Sequence, residues 1–375
     1  MQHQPPFAHG ISPRLTQSMG FLEINREAIR QNYTTLKSLL PKTTCAAVLK
    51  ADAYGFGCKE IAALLLNEGC TTFFVAHLEE GLLLRSFIKQ GQINVLSGFL
   101  PDTEGLFIEN ALTPVINDMG MLKNWVNKAK ETGKKLPCIL HIDTGMHRLG
   151  FDHTNLIQLY DSLSILKGLT ITCVMSHLTS SPDSKSSLNT KQKALFDDFR
   201  RHFPQAKASL ADTGGIYLGE PYHYDIARPG KGLFGLFKAP EGSPPLTPCL
   251  KLYARILQVH NAPKGESVGY GATHTLTRKS RLATLGIGFA DGYDRRLSNK
   301  AFACIQEFKA PVVGCISMDY TVIDVTDVPE SLCVAGEWVE LVNEIFTLDH
   351  LADSIQTISR ELSTGFGKRL SRVYK

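Results

Sequence analysis

The sequence predicts an α/β fold: a (β/α)8 TIM-type barrel followed by a mostly β C-terminal domain. Two observations carry this. From Thr44 to about Gly235, short apolar β-rich runs alternate with longer amphipathic stretches, the pattern of repeated strand–helix units. Beyond "FKAPEGSPPLTP", Phe237 to Pro248, short strand-like runs separated by turn residues take over.

Eight runs read as strands in order: "CAAVLK", "FFVA", "INVLSG", "TPVIN", "CILHID", "TCVMSHL", "KASLAD" and "YDIARPG". Between them, "KEIAALLLNEG", "EEGLLLRSFIKQG" and "KQKALFDDFRRHF" place apolar residues three and four apart, with glycine or proline near the stops. Eight parallel strands covered on both faces close into a barrel. The later runs, "LKLYARILQV", "SRLATLGIGF", "PVVGCISMDYTVIDV" and "EWVELV", lack long helices until "LADSIQTISREL". The expected organisation is a loose extension over 1–20, a barrel over 21–246 and a β domain over 247–375. The first twenty residues hold no apolar core of a signal peptide.

Composition narrows the function. Of 375 residues, 43% are hydrophobic and 20% charged, which is ordinary globular usage. The formal net charge of +4 comes without a basic stripe, and Lys134-Lys135 and Arg200-Arg201 read as solvated helix ends, so no nucleic-acid partner is expected. No apolar run approaches the roughly 20 residues that cross a bilayer, so no membrane partner is expected. Nine cysteines, without a C-x-x-C pair or zinc-type spacing, fit reduced thiols in a cytoplasmic protein and predict no metal site. Cys45, Cys138 and Cys173 sit in strand-like runs as small hydrophobes.

Barrel enzymes carry their chemistry at the C-terminal ends of the strands. Here those ends hold Lys50 after the first strand, Asp143 and Arg148 after the fifth, and His177 after the sixth. Asp212 and Thr213 follow the seventh, and Arg228 lies on the eighth. Any one could be a loop anchor, but a lysine, two arginines, a histidine and a hydroxyl at one mouth point to a small anionic ligand. "TGG" at Thr213 to Gly215 and "RPGKG" at Arg228 to Gly232 are loops whose N–H groups can approach phosphate, in the place where barrels frequently bind it. A lysine with such a cradle suggests pyridoxal 5'-phosphate, whose aldehyde forms a Schiff base with lysine.

At this point the motifs resemble a family. "AVLKADAYGFG" is similar to the cofactor-lysine motif of alanine racemases, "HIDTGMHRLG" to their substrate-arginine motif, "ARPGKGLFG" to their pyridine and phosphate motif, and "GESVGYG" to the motif of their second base. "GFADGYDRRLS" and "GCISMDYTVIDVT" continue the match, in order from about Phe21 to Tyr374. The resemblance implies a PLP-dependent isomerase that interconverts L- and D-alanine and supplies D-alanine for peptidoglycan. It implies a homodimer with shared active sites and an amino-acid substrate.

By the same resemblance Lys50 holds the cofactor and exchanges the α-proton on one face, taking it from the D-isomer. Tyr270 from the neighbouring subunit takes it from the L-isomer on the other. A phenol with an ordinary pKa near 10 needs cationic or hydrogen-bonding neighbours to serve as a base. Arg228 faces the pyridine nitrogen as a donor that keeps its own proton, which leaves a weaker electron sink than a pyridinium. His177 orients Arg228. Arg148 and the backbone N–H of Met318 hold the substrate carboxylate, and Tyr54, Thr213, Gly230 and Lys231 cradle the phosphate.

This chain departs from the usual family pattern at several positions. His141 replaces a lysine that is carbamylated in many members and braces the substrate arginine; Asp143, a bound chloride or nothing fills the gap. Asp52 stands for asparagine, Phe56 for histidine and Asp212-Thr213 for Asn-Ser. Phe289, Cys315 and Arg360 change the substrate entrance. Arg360 could pair with the phosphate or favour an acidic or larger substrate, which leaves a broader-specificity amino-acid racemase as the alternative.

Overall fold

The computed structural model describes residues 16–161 and 163–375. The described residues form two compact units, one of Ala28–Thr247 and one of those up to Glu27 together with Pro248–Lys375.

The strands of the first unit, numbered after a β1 that belongs to the second, are β2 (Thr44–Cys45), β3 (Ala47–Val48), β4 (Thr72–Val75), β5 (Gln92–Val95), β6 (Leu112–Ile116), β7 (Leu136–His141), β8 (Leu169–Met175), β9 (Lys207–Ser209) and β10 (Ile226–Ala227). β3 to β9 pair in parallel in chain order. β2 pairs instead with β10, also in parallel. The run "CAAVLK" is therefore one strand shared between two neighbours, changing partner at Ala46, whose N–H bonds to Ala227 O at 2.9 Å. Asp225 N bonds to Ala208 O at 3.0 Å and Arg228 N to Ala211 O at 2.8 Å, which links β10 to the β9 side and closes the ring.

The inside is packed, as a barrel of this size must be. Ala46, Val48, Phe74, Val115, Ile139, Cys173, Met175 and Ile226 meet in one buried cluster, with Tyr54 and Leu96 against it. Outside run the helices Cys58–Asn67, Leu78–Phe87, Glu104–Glu109, Met119–Thr132, His153–Asp161 and Ser187–Arg200. Their apolar stripes face the sheet: Ile61, Ala62 and Leu65 are buried on one, Leu122, Trp125 and Val126 on another. Asp118 caps the latter, accepting from Met121 N at 2.8 Å, and Gly133 ends it in the left-handed conformation at φ 64°.

In the second unit, β1 (Gly20–Ile24), β11 (Leu250–Ala262), β12 (Ser267–Val268), β13 (His274–Thr275), β14 (Ser280–Leu285), β15 (Phe302–Ile305), β16 (Phe308–Pro311), β17 (Thr321–Asp324), β18 (Trp338–Val342) and β19 (Ser371–Tyr374) make up the strands. The long β11 is the spine and pairs antiparallel with β1, β14 and β18. Phe21 stacks on Tyr253 at 4.6 Å between ring centroids and meets Trp338 edge-on at 4.8 Å.

Two expectations are corrected, and a third falls mostly outside the described residues. β1 joins the C-terminal sheet, between β11 and β19, so the segment from 21 to Glu27 is not barrel. The loose extension lies outside the described residues as far as residue 15. Of the rest, Met19 O accepts from Arg255 N at 2.8 Å, Ser18 O accepts from Arg255 Nε at 3.0 Å, and Gly20 opens β1. "LADSIQTISREL" is two short helices, Leu348–Ser354 and Ser359–Gly365, because Gln356 takes a left-handed φ of 57° between them.

Candidate active site

Lys50 follows β3 and opens an unusual turn. Ala51, Asp52, Ala53 and Tyr54 all adopt left-handed backbone, at φ 53°, 52°, 55° and 58°, and Gly55 follows at φ 87°. Left-handed helix costs an L-residue roughly 1–2 kcal/mol, so four in a row persist only where the surroundings impose them. Ala53 N bonds to Leu49 O at 2.9 Å, and Gly55 N to Ala51 O at 2.9 Å. Asp52 accepts from Cys58 N at 2.7 Å, and Glu80 accepts from Ala51 N at 2.6 Å. Phe56 is fully buried and stacks on Phe234 at 4.5 Å, so the residue in the usual histidine position serves packing.

The turn delivers Tyr54 to the loop after β10. A Cβ on Gly230 would stand 2.2 Å from Tyr54 Oη, and one on Gly232 would stand 2.5 Å from Thr213 Cγ2, so both glycines are required by close approach. Buried Thr213 accepts from Gly230 N at 3.3 Å and Gly232 N at 3.1 Å. A hydroxyl that accepts twice keeps its own O–H to donate. Lys231 Nζ lies 3.9 Å from Asp212 Oδ2 and over the Phe237 ring at 4.8 Å, so its side chain is engaged away from the Gly230 backbone.

Arg228 is buried, donates from Nη2 to Ser176 O at 2.6 Å and from Nη1 to Ser209 Oγ. Burial pulls its pKa down to about 10, which still leaves a cation at neutral pH. These two partners hold the guanidinium. His177 is pushed down to about 4, first by burial, with Arg228, Arg148 and Lys50 adding to the shift and Asp212 opposing it. Its neutral ring thus sits among three cations and one carboxylate. Burial works against Asp212, yet Lys231 and the hydrogen bonds from the Ser181 side chain and the Gly215 N–H hold it below the usual carboxylate range.

His141 donates or accepts at Nδ1 with Asn117 Oδ1 at 2.7 Å. Its pKa is pushed down to about 3 by burial, then by Arg228, His177 and Arg148. A neutral imidazole therefore stands near Arg148. Asp143 does not fill the gap as a partner of that arginine: its Oδ1 accepts from Gly145, Met146 and His147 N at 2.8, 2.8 and 3.1 Å, shaping the loop that carries Arg148. Arg148 makes no ion pair among the described residues. Gly150, at φ 110°, closes the loop where a Cβ would lie 2.7 Å from Asp143 N.

The barrel unit thus gathers Lys50, Tyr54, Arg148, His177, Thr213, Arg228, Gly230 and Lys231 from its strand ends. Ser176, Ser209, Asn117 and Glu80 complete it and were missed in the sequence. Asn117 ends "TPVIN" and was findable as another strand-end polar residue; the serines lie inside apolar runs and gave no signal.

Tyr270 and Met318 belong to the second unit. Tyr270 sits at the tip between β12 and β13, flanked by Gly269 at φ 71° and Gly271 at φ 73°, and is 72% exposed. Thr273 on the same tip contacts Cys315 Sγ at 3.5 Å, and a hydrogen bond to Thr273 lowers that thiol's pKa. Met318 is 56% exposed on a loop whose backbone meets Gly288 so closely that a Cβ there would lie 2.3 Å from Ser317 O. Among the described residues no group of three or more His, Cys, Asp or Glu could hold a metal, and no helix is long and apolar enough to cross a membrane.

Fold and site together define a (β/α)8-barrel enzyme with a lysine and an anion cradle at its mouth. The chain belongs to the alanine racemase family: the N-terminal domain of alanine racemase matches residues 24–238 and the C-terminal domain matches residues 249–374. It is 37% identical over 371 residues to the alanine racemase of Brucella abortus, covering 95% of this chain and 93% of that protein. It is 39% identical to that of Rhodospirillum rubrum, covering 96% of each. The crystal structure of alanine racemase from Bartonella henselae with covalently bound pyridoxal phosphate superposes with a TM-score of 0.91 at 36% identity, over 96% of this chain and 100% of that one. Biosynthetic alanine racemase from Pseudomonas aeruginosa gives 0.85 at 29% identity, covering 96% and 99%.

Proposed function

We infer that this chain is a PLP-dependent isomerase that interconverts L- and D-alanine and supplies D-alanine for peptidoglycan. The observation that carries it is the mouth itself, where Lys50 and the cationic Arg228 accompany a cradle closed by Thr213, Gly230 and Tyr54. The donor set fits the cofactor: hydroxyls and N–H groups that donate to phosphate, and an arginine that donates to a ring nitrogen. When bound, pyridoxal phosphate supplies an electron-withdrawing ring that acidifies the Cα–H of an amino acid joined to it.

The residues then divide the work. Lys50 anchors the cofactor and moves the α-proton on one face, and Tyr270 moves it on the other; two bases on opposite faces produce inversion. Arg228, steadied by Ser209 and Ser176, donates to the ring nitrogen without giving up its proton. Thr213, Tyr54, Gly230 and the Lys231 backbone hold the phosphate, while Arg148 and the Met318 N–H hold the substrate carboxylate. His177 keeps a neutral ring between the arginines. The relatives and structures compared are alanine racemases, so the broader-specificity alternative suggested by Phe289, Cys315 and Arg360 is not favoured.

The sites are shared in a homodimer, with Tyr270 and Met318 supplied by the second copy. Both are exposed on one unit, as are Phe289 at 40% and Tyr320 at 52%, large apolar side chains of the kind that a second copy can cover. The barrel over 21–246, less β1, is the cofactor-binding domain. Nine free cysteines fit a reducing cytoplasm. Incubation of the purified protein with L-alanine in deuterated water tests the activity: D-alanine bearing deuterium at Cα is expected, and a protein that binds cofactor yet yields none refutes it.

A further inference from the structure

We propose that Glu80 is a positioning residue for Lys50, a role that rests on the reading of Lys50 as the cofactor lysine. Its carboxylate bridges two neighbouring barrel strands at the mouth. Oε1 accepts from Ala51 N at 2.6 Å, and Oε2 accepts from Ala76 N at 2.7 Å and His77 N at 3.2 Å. Ala76 and His77 directly follow β4, the parallel partner of β3. On the other side of the lysine, Leu49 N bonds to Phe74 O of β4 at 2.8 Å. Lys50 is thus fixed to β4 through the residue before it and the residue after it, and the second tie runs through Glu80.

The simpler account is a helix cap, because Glu80 sits in the first turn of Leu78–Phe87 and reaches back to His77 N. That duty uses Oε2 alone. The Oε1 bond goes instead to a residue 29 positions earlier, at the first step of the left-handed turn. Glutamate offers two acceptors to two sets of N–H donors, and glutamine offers only one. In Glu80→Gln the amide NH2 must oppose either Ala51 N–H or the cap, and the lysine loses its fixed direction.

The test compares the holoenzyme with its Glu80→Gln, Glu80→Asp and Glu80→Ala variants. Three quantities are measured: the visible absorbance of lysine-bound pyridoxal phosphate against pH, kcat and KM for alanine in both directions, and thermal melting. In Glu80→Gln, kcat is expected to fall by roughly tenfold or more in both directions with KM within about threefold, as a misplaced reacting group demands. The pH midpoint of the band moves by about half a unit or more, since the lysine nitrogen changes surroundings. Glu80→Asp recovers part of both. If either kcat or the midpoint stays at the parental value in Glu80→Gln, Glu80 is a helix cap only, whatever the melting temperature does. Should Glu80→Ala fail to fold, Glu80→Gln decides. A parent that shows the lysine band but does not racemise alanine defeats the racemase reading; the midpoint of Glu80→Gln then decides Glu80 alone.

Discussion

A methyl group at Gly230 would press on Tyr54 Oη, and two cradle residues would have to part. Overpacking of this kind costs about 1–3 kcal/mol, and 1.4 kcal/mol is a factor of ten in affinity. Gly230→Ala is therefore expected to weaken retention of pyridoxal phosphate by about tenfold or more and to lower the melting temperature of the cofactor-free protein by about a few degrees. Dialysis followed by absorbance of the retained cofactor measures it. His141 gives a pH prediction. Its folded pKa, about 3, lies below the ordinary imidazole value, so the fold favours the neutral ring. That contribution is complete above about pH 6.5 and is lost as the pH falls towards 3. His177, lowered to about 4, acts in the same window. His141→Asn should flatten the decline in stability between pH 6.5 and 4, read from denaturant midpoints at both ends; an unchanged slope would mean His141 is not the group titrating.

At the scale of elements, the left-handed turn after Lys50 depends on Asp52, whose carboxylate accepts the first N–H of the helix Cys58–Asn67. Asp52→Ala should cost about 1 kcal/mol, whereas Asp52→Asn keeps an acceptor oxygen and most of the stability; urea midpoints separate the two. The barrel strands were legible because most are apolar runs ending in a polar residue at the mouth, and that pattern also exposed Lys50, His177 and Arg228. The turn itself was not legible. Nothing in "ADAY" announces four positive φ values, which arise from Glu80, Asp52 and the Tyr54 approach to Gly230 rather than from local preference. Glu80 was hidden as an ordinary first-turn acid. β1 was misplaced because five residues of "GFLEI" state that they are a strand without stating whose.

Across the whole molecule, the proposed sharing of sites between two copies makes a prediction no single chain can imitate. Lys50→Ala and Tyr270→Phe should each abolish racemisation, yet a co-expressed mixture should recover about a quarter of parental activity, because a two-fold dimer with one lesion per chain retains one intact site in each mixed pair. No recovery, with mixed dimers present, would show that each chain supplies both bases to its own site.

β1 aligns Gly20 with Ala254 and Ile24 with Leu250, and it also pairs with β19 at the far end of the chain. During synthesis this strand is made early and its partners late, so the ribosome releases most of the barrel while "GFLEI" waits unpaired. Phe21, Leu22 and Ile24, fully buried in the finished protein, are then open to association with other nascent chains. A chain stopped at Thr247 is expected to aggregate through this segment, and removing the residues before Ala28 from the same truncation should restore solubility, as sedimentation of the two products would reveal.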